Sequence, residues 1–496
     1  MRVLIYSFFK KFMMNLSTSM NVNRLSDASW EIPVSEKTGM QVPARIYATE
    51  DIIQAMDSGV FEQVTNVACL PGIQGYALCM PDGHWGYGFP IGGVAAFDIQ
   101  KGIISPGGVG YDINCGMRLI RTDLTLADVR PRLDSLMTEL FRQVPAGVGA
   151  RGLVKLNATS FRDVMRKGAR WSVEQGYGWS EDLDHTEEGG CLAGADPDCI
   201  SDHALKRGMH QLGTLGSGNH YLEVQVVHSD RIYDQALAEA MGIHGHEQIV
   251  IMVHCGSRGF GHQIGSDYLR IFEKTMKRYG LTVKDQQLAC APFQSPEGQN
   301  YFAAMNGAGN NAFANRQVIA HHIREAFGTV FQQSPESLGM HQVYDVAHNI
   351  AKVEQYQGQR LLVHRKGATR AFGPGSPELP DVFRNIGQPV ICGGSMETGS
   401  YLLVGTSKAM EESFGSTMHG AGRTMSRAQA KRQVRGTQLL QEMANRGIIV
   451  KAVSMSGLAE EAGFAYKNIS QVVQAVETAG ITKKVAELLP IGNIKG

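Results

Sequence analysis

Five residues of metal-ligand type sit where a strand-like run meets a glycine turn. Asp112 and Cys115 lie in GVGYDINCGMR, His220 in GSGNHYLE, His254 in VHCGSRGFGH and His348 in DVAHNIAKVE. A thiolate can bridge two cations, and one carboxylate with three imidazoles would complete two low-coordinate sites that leave room for substrate. The spacing matches no sequence-local metal motif: there is no H-E-x-x-H, no CxxC pair and no EF-hand loop. Taken singly, each residue is more often a buried thiol or a satisfied core histidine. What argues for a metal centre is the recurrence of one arrangement of strand, ligand and glycine turn. Soft Cys and His donors favour zinc by intrinsic affinity, so donor chemistry alone leaves the metal open.

A second chemistry lies in FGSTMHGAGRTMSR, residues 414–427. His419 stands among small residues, with Gly420, Gly422 and Arg423 directly after it. An imidazole with open approach and a guanidinium beside it suits attack on a phosphate to form a phosphoramidate; an exposed histidine in a turn fits the segment equally well. GK[ST] is absent, so this is not a P-loop. CGGSMETGSYLL, residues 392–403, offers backbone amides, Ser395 and Ser400 to a nucleotide, although a tight turn into a strand needs the same glycines. MPDGHWGYGFPIGG, residues 80–93, adds Asp82, His84 and Trp85. Asp82 or His84 could move a proton, with a structural turn as the equal alternative. Lys206, Arg207, Arg258, Arg365, Lys366, Arg370, Arg423 and Arg427 recur near these loops. Converging on one face they would track an RNA backbone; scattered, they are ordinary solvated charges.

Loops of this kind need a scaffold that brings distant segments together. The chain has 58 glycines in 496 residues, well above the roughly 7% of an average chain, gathered in short knots rather than in a linker. Short apolar or alternating runs predict strands at 93–98, 221–227, 248–254, 342–347, 360–364 and 400–404. Helical patterns cover 126–143, 267–279, 311–327 and 426–446. Strands and helices mix without regular βαβ alternation, which predicts an α+β fold: one large domain of mixed sheets flanked by helices, spanning 26–496. Residues 1–25 read as a disordered or non-native extension, with Met14 or Met20 as alternative starts. The acidic, turn-rich stretch 176–201 reads as a surface excursion.

Forty-seven basic residues balance forty-seven acidic ones, so a nucleic-acid site must be a local patch and a histone-like binder is excluded. Eight scattered cysteines form no secreted-type framework and fit a reducing cytoplasm. No apolar run approaches the roughly 18 residues of a membrane span, so a soluble protein is expected.

DINCGMR, GTLGSGNHYLE, HCGSRG, AHNIAKVE, HRKGATRAF and FGSTMHGAGR occur in this order in one chain. From about Pro81 to the terminal Lys495 and Gly496, the sequence resembles the RtcB family of RNA-splicing ligases. The resemblance implies joining of RNA 2′,3′-cyclic phosphate or 3′-phosphate ends to 5′-hydroxyl ends, in tRNA splicing or RNA repair. It implies GTP and two Mn²⁺ ions as cofactors, a histidine–GMP intermediate and an RNA-(3′)pp(5′)G activated end. By the same resemblance Asp112, Cys115 and His220 hold one ion, Cys115, His254 and His348 hold the other, and His419 carries GMP. The implied nucleotide site comprises Asn219, His220, Tyr221, Leu222, Glu223, His348, Asn349, Gly393, Gly394, Ser395, Met396, Ser400, His419, Gly420, Ala421, Gly422 and Lys495. Arg258, Arg423 and Arg427 are similar to residues that meet RNA phosphates, and an archease-type activator accompanies some relatives. His419 must be unprotonated on one nitrogen to attack, so guanylylation is expected to fall at acid pH. Two rival readings share parts of this site: a metal-dependent phosphohydrolase or nucleotidyltransferase on other substrates, and a non-catalytic RNA-binding protein.

Overall fold

A single residue, His348, separates the edge strands of two large sheets. The computed structural model describes residues 20–496. The first sheet orders seven strands as Asn23–Ser26, Ser29–Ile32, Ala44–Tyr47, Ile73–His84, Ile91–Asp98, Gln359–Lys366 and Asn349–Tyr356. In the second, the order is Gln342–Ala347, Gly116–Thr125, Gln248–Cys255, Tyr221–Val227, Thr482–Lys495, Ser400–Gly405 and Pro389–Cys392. Ile449–Ala452 adds a parallel partner to the far end of Thr482–Lys495. The fold is α+β, in one large body of mixed sheets and helices, as expected.

The register of the second sheet explains why the ligand-type residues meet. Gly116 lies opposite both Cys255 and Ala347, and His254 lies opposite Tyr221. Cys115, His220, His254 and His348 therefore all sit at one end of four neighbouring strands. No long-range steering is needed beyond correct strand pairing.

Behind this sheet runs the helix Pro296–Phe331, 36 residues long and capped by Ser295, whose side chain accepts from the Gly298 amide. Its apolar residues Ile319, Ile323 and Phe327 recur at helical spacing and pack on Leu222, Val224, Ile251 and Val253 of the sheet. The helix starts fifteen residues before the expected 311. Its first half contains NGAGNNAFAN, residues 306–315, and Gly and Asn are weak helix formers. Here the asparagines bond to neighbouring chain instead of competing with their own backbone: Asn306 donates to Ala193 O (2.9 Å) and Asn310 to Met165 O (2.7 Å).

Other expectations need correcting. The helix expected over 126–143 divides into Leu126–Val129, a 3-10 turn Arg130–Arg132 and Leu133–Gln143, because Pro131 has no amide to donate. The one expected over 426–446 divides into Arg427–Gln433 and Gly436–Asn445, with Val434 and Arg435 extended. The one expected over 267–279 begins at Arg258. Residues 1–19 of the expected extension lie outside the described residues, but Asn23–Ser26 is already a sheet strand, so the folded body begins before 26.

The stretch 176–201 is a surface excursion only in part: Glu181, Asp184 and Asp198 are exposed, but three of its polar side chains turn inward. Asp182, Thr186 and Glu187 are completely buried. Asp182 takes both arms of Arg324 at 2.7 Å, and Glu187 pairs with Lys352 (2.8 Å) and Arg370 (3.0 Å). These two carboxylates neutralise buried cations rather than seeking water. The same packing removes Arg365, Lys366 and Arg370 from any RNA-tracking face. Arg365 is locked to Glu354 (2.7 Å), and Lys366 is enclosed by the carbonyls of Tyr87, Phe89 and Gly107. Among the described residues no helix is long and apolar enough to cross a membrane.

Candidate active site

Where the two sheets meet lies a cavity of about 1100 Å³, lined by Asp112, Cys115, His254, His348, His419 and Lys495 among others. At its base Cys115 Sγ is 3.3 Å from His220 Nε2 and 3.2 Å from His254 Nε2, and His254 Nε2 is 3.3 Å from His348 Nε2. Asp112 Oδ2 stands 2.7 Å from His220 Nε2. All five expected metal ligands are thus brought together, with the sulfur touching imidazoles from both expected sets.

The charge states suit a cation. Burial works against ionising Asp112, yet the His220 imidazole, with Cys115 and Arg258 beside it, holds the carboxyl down to about 2. Burial, followed by the charges of His220 and His419, lowers His254 well below the usual imidazole range. His348 is lowered the same way, by burial and then by His419 and His254. Both rings therefore offer neutral lone pairs. Burial and Asp112 push the Cys115 thiol up to about 12, so its proton leaves only when a cation replaces it. Burial also opposes charge on His220, but Cys115, Cys255 and Asp112 raise it well above the ordinary range. The Asp112–His220 contact, 2.7 Å long, joins two groups that could both turn their lone pairs to a divalent ion. One carboxylate, one thiol and three imidazoles in mutual contact fit such ions.

The loops bearing these ligands are tied from behind by the buried helix. Asn315 Oδ1 accepts from the amides of Gly213 and Thr214 (2.7 and 3.0 Å), and its Nδ2 donates to Gly256 O (3.3 Å). Next along the helix, Arg316 donates to Asn114 O (2.8 Å) and Cys255 O (2.9 Å) while pairing with buried Asp345. Asn114 holds a left-handed φ of 56°, which turns the chain so that Cys115 faces the cavity.

His419 follows the short strand Ser416–Met418, its ring centroid 4.9 Å from that of His348. Asp82, at the end of strand Ile73–His84 and fully buried, aims Oδ2 at it, accepting from His419 Nδ1 (2.6 Å) and from the His419 amide (3.0 Å). Nδ1 is therefore occupied, and Nε2 is left to act. Lys467 donates to Pro81 O (3.0 Å) and Gly83 O (2.5 Å), gripping the chain on either side of Asp82. Gly422, at φ 72°, passes so close that a Cβ would lie 2.1 Å from Asp82 O, so this turn admits only glycine. The Gly420 turn lies beside Gly393 through a bond from the Ala421 amide to Gly393 O (3.0 Å).

Of the residues implied for the nucleotide, Asn219, Tyr221, His348, Asn349, Gly393, Gly394, Ser395, Met396, His419, Gly420, Ala421, Gly422 and Lys495 line the cavity. His220 joins through the Cys115 cluster. Leu222 does not: alternation along the strand sends its side chain into the apolar layer beneath the long helix. Ser400 lies behind the lining, accepting from the Gly394 amide (3.2 Å) and so shaping the turn. Glu223 is also behind it, bonded to Gln225 (2.8 Å) and Asn493, and burial pushes its carboxyl up to about 7 against Lys495 and those amides.

Arg423 and Arg427 line the cavity; Arg258 does not, its guanidinium being bonded to Thr214 Oγ1, Gly147 O and Leu215 O. Residues 460–467 carried no expectation, yet Glu461, Tyr466 and Lys467 line the same space. Buried Glu461 holds Arg423 and Arg427 (3.2 Å each) and Tyr466. The only sequence signal there is a Tyr-Lys pair after a glycine, which is too common to single out.

A family model described as tRNA-splicing ligase RtcB matches residues 63–496. The tRNA-splicing ligase RtcB of Thermococcus kodakarensis is 53% identical over 480 residues, covering 96% of this chain and 99% of that one. Its namesake from Archaeoglobus fulgidus is 52% identical over 479 residues, again 96% and 99% of the two chains. Another from Pyrococcus abyssi is 56% identical over 387 residues, covering 77% of this chain and 42% of that protein. With a matched model over most of its length and relatives near half identity end to end, the chain belongs to the RtcB family.

Proposed function

We propose that this protein is a GTP-dependent RNA ligase that joins 2′,3′-cyclic phosphate or 3′-phosphate ends to 5′-hydroxyl ends, in tRNA splicing or RNA repair, with His419 as the covalent carrier of GMP. The observation that carries this reading is the 2.6 Å bond from His419 Nδ1 to buried Asp82, beside a Cys/His/Asp cluster. A hydrolase has no need of a covalent GMP carrier, the role that the free Nε2 of this fixed imidazole suits. Asp82 holds the ring in the tautomer that presents an unprotonated Nε2. That nitrogen attacks the α-phosphorus of GTP, a P–N bond forms and pyrophosphate leaves. A cyclic end is first opened by water, which adds to phosphorus as the bond to the 2′-oxygen breaks; an oxygen of the resulting 3′-phosphate then takes GMP, returning the electron pair to Nε2. Finally the 5′-hydroxyl attacks the activated 3′-phosphate and expels GMP.

Divalent ions, two Mn²⁺ in this reading, would be held by Asp112, Cys115, His220, His254 and His348 and would neutralise charge developing on phosphate oxygens. Tyr221, Lys495 and the turn Gly393, Gly394, Ser395 and Met396 receive the nucleotide, with Lys495 Nζ 4.8 Å above the Tyr221 ring. Arg423 and Arg427 are the arginines offered to RNA phosphates; Arg258 acts on the fold of the cation loops.

Incubation with α-labelled GTP and Mn²⁺ tests the reading. An acid-labile protein–GMP adduct is expected, absent from His419→Ala, together with joining of 3′-phosphate but not 3′-hydroxyl RNA. Wild-type protein that binds metal and GTP yet forms no adduct would sink the ligase reading.

A further inference from the structure

The same cavity is lined in part by residues that neither the nucleotide nor the cations use. There stands Trp85, 54% exposed, while Trp30 and Trp171 are buried. Single exposed apolar residues are common, but this one is fixed in place. On its N-terminal side His84 Nδ1 bonds Asp82 O (3.0 Å). On its C-terminal side Gly86 exchanges two bonds with the Gln63 side chain, from Nε2 to Gly86 O (2.6 Å) and from the Gly86 amide to Oε1 (3.0 Å). The indole rests on Gly59 of helix Ser58–Val67, so closely that a Cβ there would lie 1.8 Å from Trp85 Cε3. A large aromatic surface is thus held open to the cavity, three residues from the carboxylate that orients His419. An indole packed for core stability would be covered; one held exposed and rigid suits stacking on another flat ring.

We propose that Trp85 is the stacking platform for a nucleobase at the RNA 3′-phosphate end delivered to His419. This rests on the RNA-joining reading above. Stacking accepts any base, so the platform would grip the end of an RNA without reading its sequence. It would also hold the terminal phosphate against recoil while GMP is transferred.

The experiment compares 3′-phosphate RNA carrying either a normal or an abasic terminal nucleotide, on wild type, Trp85→Ala, Trp85→Phe and Gly59→Ala. Joining is followed as KM and kcat separately, and binding by quenching of tryptophan emission. With the normal end, Trp85→Ala is expected to raise KM roughly 5- to 100-fold, with Trp85→Phe and Gly59→Ala raising it less. Wild type should show about as high a KM for the abasic end as Trp85→Ala shows for the normal one, and Trp85→Ala should lose nothing further with the abasic end. The quench should vanish in Trp85→Phe. Equal losses on both ends, no loss, or a quench given only by 5′-hydroxyl RNA would overturn the proposal. Should Trp85→Ala fail to fold, Trp85→Phe and Gly59→Ala carry the same comparison. A base-dependent quench in wild type that forms no His419 adduct would uphold the platform and overturn the ligase reading instead.

Discussion

At the cation end of the cavity, loops from four strands are tied down by one buried helix; at the nucleotide end, turns are tied to one another through Glu461 and the strand Thr482–Lys495. Asn315 and Arg316 reach the first set from behind, and nothing in that network meets solvent. Glu461 is equally buried, but its partner Arg427 is 48% exposed and can trade the carboxylate for a phosphate. Removing a contact at the first end leaves buried groups unpaired, whereas at the second it chiefly changes what the arginines are free to bind. Fold and cation geometry are therefore coupled, while nucleotide and RNA affinity can be altered separately.

The sharpest break of this comparison is Arg316→Leu. It leaves buried Asp345 with Arg118 as its remaining cation (2.7 Å) and removes the donor from the Asn114 and Cys255 carbonyls, and is expected to cost about 3 kcal/mol in denaturant unfolding and to lose metal as well. An Arg316→Leu protein of wild-type stability would mean the helix does not hold the cation loops. Next, Asp82→Asn should slow His419 adduct formation by about 10²-fold or more while metal content stays at the wild-type level, since only the tautomer and orientation of His419 suffer. Loss of metal in that variant would show the two ends to be one unit.

A pH titration of stability separates them further. Burial pushes Glu223 up to about 7 from 4.5, so its contribution to stability is fully present below about pH 4.5 and is lost as pH rises through 7. Glu223→Gln should flatten that fall, which is on the order of 2 kcal/mol, in chemical denaturation between pH 5 and pH 8. The smallest effect is expected of Glu461→Gln: Arg423 and Arg427 lose their anchor, affinity for 3′-phosphate RNA changes by about tenfold, and unfolding moves little. Calorimetry with 3′-phosphate RNA, run beside thermal melts, reads both.

How much of this was legible in the sequence depended on whether the deciding partner was local. Strands 221–227 and 342–347 could be bounded to the residue because apolar runs end at glycine or histidine there. Four of the five ligand-type residues were visible because each lies at one end of a strand, Cys115 and His220 just before one, His254 near the end of one and His348 just after one, while Asp112 lies in the turn ahead of Cys115. Asp82 was visible as a proton-transfer candidate, but its pairing with His419, more than three hundred positions away, is a property of how two sheets meet. Burial of carboxylates was hidden altogether: Asp182 and Glu187 look like solvent-seeking charges until Arg324, Lys352 and Arg370 are seen against them. Leu222 belongs to the nucleotide set that the family resemblance implies, and strand alternation turns its side chain away. Glu461 and Tyr466 carried no local pattern, since their meaning comes from the arginines they hold.

One consequence concerns how the molecule is made. Strand Thr482–Lys495 lies between Tyr221–Val227 and Ser400–Gly405, pairing with segments about 260 and 80 residues earlier. While a ribosome is still reading toward it, the nascent chain carries an apolar, unpaired edge at Tyr221–Val227 and no place for Lys495 beside Tyr221. A stalled or truncated product would therefore offer a sticky strand and no nucleotide site, so that aggregation or chaperone capture, rather than partial activity, is its fate.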